Sequence, residues 1–154
     1  MQSRIGAGAL CGLLAGVVFG LMMQMMLAPT PEGGSAPMMM MVASVIRSNS
    51  IAAGWVYHLF NSIVIGGIFG WLLGSRAVSV GTGLGWGAIY GFGWWILGGQ
   101  ILMPLALGMP PFASIAMASM RMVGIASLIG HLIYGLILGG VYPAFVRTAR
   151  PVAQ

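Results

Sequence analysis

Gly54-Trp-Val-Tyr-His58-Leu-Phe-Asn61-Ser62-Ile-Val-Ile-Gly66-Gly-Ile-Phe-Gly70-Trp-Leu-Leu-Gly74 decides how the rest of this chain is read. The stretch is apolar and meets the roughly 20 residues that a helix needs to cross a bilayer. Small residues recur at every fourth position around one histidine: Gly54, His58, Ser62, Gly66, Gly70 and Gly74. Positions four apart share a helix face. His58 is therefore expected on the face where another helix packs closely, away from lipid. The last apolar segment repeats the rule with Ser127, His131, Gly135 and Gly139.

Composition sets the class. Of 154 residues, 59% are hydrophobic and 5% charged, against about 25% charged in a soluble domain. The mean hydropathy is +1.00. So few charges could not cover a water-facing surface. The basic residues are six arginines, at 4, 47, 76, 121, 147 and 150, set against a single acid, Glu32. They stand singly near the edges of apolar runs. That placement anchors membrane helices and is not a phosphate track, so no nucleic-acid partner is expected. The lone Cys11 excludes an intrachain disulfide and a cysteine-built metal site.

Four spans are predicted, at about 5–28, 51–74, 80–103 and 122–146. The first is bounded by Arg4 and by Pro29-Thr30-Pro31, and is longer than the apolar core of a signal peptide. The third stops at Pro104. Ser48-Asn49-Ser50 offers N-cap chemistry to the second. Each long loop holds a short apolar piece, Met38–Ile46 before Arg47 and Pro110–Met120 before Arg121, that suits an interfacial helix. Arg4, Arg76, Arg147 and Arg150 would share one side, with Arg47, Arg121 and Glu32 on the other. The richer side is expected in the cytoplasm, which places both termini there.

The chain repeats itself. Shifted by 75, the first span lies on the third: Gly8, Gly12, Gly16 and Pro29 fall on Gly83, Gly87, Gly91 and Pro104. Shifted by 73, His58-Leu59 falls on His131-Leu132 and Gly66-Gly67 on Gly139-Gly140. The expected fold is one all-α integral membrane domain over 1–154. Its four transmembrane helices form two tandem parallel two-helix repeats, 1–76 and 77–150, each with an interfacial helix in its long loop. Two spans per repeat insert both halves the same way up, unlike inverted-repeat transporters. Glycine ridges at Gly8, Gly12, Gly16, Gly20, Gly66, Gly70, Gly83, Gly87, Gly91, Gly135 and Gly139 let helices approach closely in lipid.

His58, His131, Gln24, Gln100 and Asn61 form an expected polar belt at one level of the bundle. Three readings are open for it. Interhelical hydrogen bonds would fix register. The two histidines could hold a haem or chlorin, with Gly54 and Ser127 leaving room one turn before each. A solute or proton path is the third, although no Asp, Glu or Lys lies in any span. Fourteen methionines raise a copper(I) reading, against which Met serves as a flexible apolar filler. No nucleophile with a base, carboxylate pair or phosphate loop is recognisable, so an enzyme is not expected.

Gly130-His131-Leu132-Ile133-Tyr134-Gly135, followed by Leu138-Gly139 and Tyr142, resembles the last helix of a group of small four-helix, methionine-rich bacterial membrane proteins, a domain of unknown function. Gly54-Trp55-Val56-Tyr57-His58 resembles their second helix. The resemblance implies a polytopic protein of the bacterial inner membrane and supplies no activity. The expected function is a non-catalytic accessory or scaffolding subunit, packed in the bilayer against itself or other subunits. The alternatives are a tetrapyrrole-binding subunit and an oligomeric channel or transporter.

Overall fold

The computed structural model describes residues 3–30 and 33–147. Pro31, Glu32, Arg150, the end of the second repeat and the side chain of Arg147 lie outside the described residues. Four helices are long and apolar enough to cross a membrane: Arg4–Met25, Ile51–Leu73, Val80–Ala106 and Ala118–Val146.

Helix α1 (Arg4–Met25) starts where the Ser3 hydroxyl accepts the Gly6 amide at 3.0 Å. It ends before the expected residue 28. Leu27–Pro29 (β1) instead pairs antiparallel with Ser35–Pro37 (β2), Leu27 opposite Pro37. A proline pushes the residue before it toward extended backbone, which suits Ala28 and Ala36 to this ladder. Helix α2 (Met38–Val45) follows at once and lies on the start of α3 (Ile51–Leu73). The approach is close: a methyl on Gly54 would stand 2.7 Å from the Met39 carbonyl oxygen. The expected cap of α3 is absent. Ser50 makes no side-chain cap bond, and the Ser48 hydroxyl accepts the Ser50 amide at 3.2 Å instead.

Helix α4 (Val80–Trp94) opens with a reciprocal box in which Ser79 and Thr82 each accept the other's amide. It does not stop at Pro104. The helix widens into a π-helix over Trp95–Leu102 and closes with one α turn, α5 (Met103–Ala106). Pro104 sits in the first turn of α5, a position that tolerates its missing N–H. The expected single short helix in the second loop is broken up. Gly108, at φ 74°, turns the chain, and α6 (Ala113–Ala116) and a 3₁₀ turn (Ala118–Met120) precede α7 (Arg121–Arg147).

The long helices pack as two close pairs, α1 with α3 and α4 with α7, joined through α1 and α7. Both close seams are made of glycine. A methyl on Gly12 would lie 2.8 Å from Gly66 Cα, and one on Gly87 3.2 Å from Gly139 Cα. Gly8 and Gly16 meet Gly66, Gly70 and Ser62, and Gly20 meets Trp55 and His58. Gly83 and Gly91 meet Gly139, His131 and Gly135. In lipid, where apolar burial drives little, backbone approach of this kind supplies the packing. Helix α3 touches α4 and α7 only sparsely. Two hydroxyls tie it to them: Tyr90 Oη donates to the Ile65 carbonyl at 2.6 Å and Tyr134 Oη to the Ser62 carbonyl at 2.8 Å.

One end of the bundle is closed. Phe69 meets Tyr90 and Tyr142 with ring centroids 5.2 and 5.5 Å apart, and Tyr142 Oη donates to the Arg4 carbonyl at 3.3 Å. Arg76 lies nearby, 5.7 Å over the Trp86 ring. Toward the other end, which carries Arg47 and Arg121, α3 and α4 stay apart.

Candidate functional site

The gap between α3 and α4 is a cavity of about 520 Å³. Helix α3 contributes Tyr57, His58 and Asn61; the π-helix contributes Gly98 and Gly99; α7 contributes Ser127, His131 and Tyr134. Phe19 of α1 forms part of the wall, and α2 lies across the end nearer the long loops. Most of the lining is apolar. Met23, Met38, Met41, Met103 and Met109 all face it, and thioether chains adapt readily to what they cover.

The two histidines meet over Phe19. Its ring centroid is 5.5 Å from that of His58 and 4.9 Å from that of His131, both edge contacts. Beyond this shared neighbour their chemistry differs. His58 Nε2 lies 2.9 Å from the Gly16 carbonyl oxygen on α1. A carbonyl can only accept, so Nε2 carries the proton and the bond crosses the seam. His131 uses its other nitrogen: Nδ1 donates to the Ser127 carbonyl at 2.8 Å, within its own helix. In the neutral ring this leaves a lone pair on Nε2. That nitrogen has no partner among the described residues. The same holds for the Asn61 amide and the Tyr57 hydroxyl, both on the cavity wall.

The polar belt divides. His58, His131 and Asn61 share the cavity, while the two glutamines serve elsewhere. Gln24 Oε1 accepts the Trp55 indole N–H at 3.3 Å. Gln100, fully buried, accepts the Ser114 hydroxyl at 2.7 Å, and its Nε2 has no partner among the described residues. Neither glutamine bonds a histidine. Among the described residues, no three His, Cys, Asp or Glu side chains converge.

The sequence spacing pointed to the histidines and missed Phe19, the ring that links them. It also missed the π-helix. Adjacent Trp94-Trp95 and Gly98-Gly99 mark that segment in hindsight, but no period distinguishes it from α-helix. π turns inside helices are frequent at functional sites.

No family model, curated protein or solved structure gives a match to this chain. The resemblance noted for Gly130–Gly135 and Gly54–His58 therefore stands on those residues.

Proposed function

We propose that this chain is a non-catalytic, multi-pass protein of the bacterial inner membrane that holds a lipophilic small molecule between α3 and α4. The cavity is the observation that carries this reading. At about 520 Å³ it falls inside the roughly 300–1,000 Å³ range of ligand sites, with the expected mix of apolar wall and few converging polar groups. His131 Nε2 accepts a hydrogen bond from the ligand or from a water beside it, and the Asn61 amide can give or take another.

The architecture proposed with it is two tandem repeats, 1–76 and 77–150, with α2 and the 103–120 segment at the interface and both termini in the cytoplasm. The paired glycine seams and the gathering of Arg4 and Arg76 at one end support it. An accessory role remains compatible, but the glycine ridges are occupied inside the bundle. A neighbouring subunit would meet the aliphatic face of Leu10, Leu14, Val17 and Leu21, which are exposed along α1 and equally suited to lipid. For a tetrapyrrole, the ring nitrogens left untied by a backbone carbonyl are His131 Nε2 and His58 Nδ1. A solute path has less support, since the polar groups gather at one level of the bundle.

Native mass spectrometry of protein released from membrane-derived nanodiscs tests the reading. Wild type should carry a bound lipophile. Gly98→Leu should not: a side chain there meets nothing closer than Trp94 at 3.7 Å and grows into the cavity. Gly93→Leu, in open space on α4, is the control. Equal ligand on wild type and Gly98→Leu would refute the cavity as the site.

A further inference from the structure

A second cavity of about 790 Å³ lies at the long-loop end. It adjoins the first, and Met41, Ala106, Leu107 and Met109 line both. Its character differs. Arg47 lines it, together with Thr30, Ser44 and Ser119, so one cation and three hydroxyl side chains face the space. Arg47 follows α2 and has left-handed backbone, φ 56°. The chain's only acid, Glu32, lies outside the described residues.

Helix α2 forms a wall common to both spaces. Met38, Met41 and Val42 face the inner cavity, while Met41, Ser44 and Arg47 face the outer one. Eight helical residues rise about 12 Å. The stretch of α3 along the inner cavity, Tyr57 to Ile65, is of similar length. A molecule filling both spaces is therefore elongated, apolar over most of its length and anionic at one end.

Resting on the proposed function, we infer that the ligand is a single-chain amphiphile with an anionic head. Its chain lies between α3 and the π-helix, and its carboxylate or phosphate sits at Arg47 with the Thr30 and Ser119 hydroxyls near it. The arginine fork is suited to either head group. Exposed arginines are common at membrane edges. What distinguishes Arg47 is the apolar cavity that adjoins the space it lines.

The test uses the whole protein in nanodiscs, with brominated chains quenching the tryptophans, of which Trp94 lines the inner cavity. Four probes are titrated: a brominated fatty acid, its methyl ester, a brominated lysophosphatidate and a brominated lipid that sets the background. The acid or the lysophosphatidate should quench saturably and bind about tenfold tighter than the ester. The tighter of the two identifies the head group. Arg47→Gln should erase the preference over the ester while leaving the ester curve unchanged. Gly98→Leu should remove saturable quenching by every probe. Equal binding of acid, lysophosphatidate and ester, or a preference that survives Arg47→Gln, overturns the anionic-head assignment and leaves the cavity reading standing. Saturable quenching that survives Gly98→Leu overturns both.

Discussion

His58 Nε2 donates to the Gly16 carbonyl oxygen across the α1–α3 seam at 2.9 Å. The aligned His131 makes its own bond inside α7. The His58 bond joins two helices, and the His131 bond stays within one. His58→Phe keeps a ring against Phe19 and removes the bond. It should lower stability by about 0.6–2 kcal/mol in reversible unfolding from mixed micelles. His131→Phe should cost less, since no interhelical bond is lost. Equal losses would count against this division.

The seams tolerate no side chain. Gly12→Leu and Gly87→Leu should each destabilise by roughly 1–3 kcal/mol or prevent folding, because backbone stands where the side chain must go. Gly81→Leu and Gly85→Leu meet nothing within 4 Å and should stay within about 0.5 kcal/mol of wild type. Thermal unfolding followed by circular dichroism separates the two groups.

Beside the Phe69 ring contacts, two hydroxyls hold helix α3 to the second pair. Tyr90→Phe and Tyr134→Phe should each cost about 0.6–2 kcal/mol. The double variant should open α3 away from α4, read as a longer distance between spin labels at Val56 and Ile89, both exposed. An unchanged distance would mean that the α1–α3 seam and the Phe69 ring contacts set the position of α3 without the hydroxyls.

The proposed occupant has no visible chromophore, so purified protein should be colourless. A Soret band lost in His131→Ala and kept in His58→Ala would instead make His131 an axial ligand and replace the amphiphile with a tetrapyrrole.

Much of the frame was legible. Four apolar runs gave four long helices, because no other regular structure satisfies so many backbone groups in apolar surroundings except a closed barrel. Four-residue spacing identified the small faces that became seams at Gly8, Gly12, Gly83 and Gly87. The site was less legible. Which nitrogen of each histidine is tied depends on whether a neighbouring carbonyl comes from another helix or from the same one. A list of aligned positions treats Gly54 and Ser127 as equivalent, yet Gly54 lies under α2 while Ser127 orients His131. The cavity arises where α3 and α4 fail to meet, and a gap leaves no period in a sequence. Pro104 misled for a related reason: proline ends a helix only when the turn before it needs the missing donor.

The pairing of α1 with α3 has a consequence for how the chain is made. Its seam draws only on residues up to Gly74, so the first two spans can close on each other in the bilayer before α4 leaves the ribosome. What they cannot bury is Phe19, whose far side is later covered by Gly130 and His131. The first hairpin thus enters the membrane with an aromatic ring pointing outward. The arrival of α7, made last, removes that ring from lipid and commits the two halves to each other.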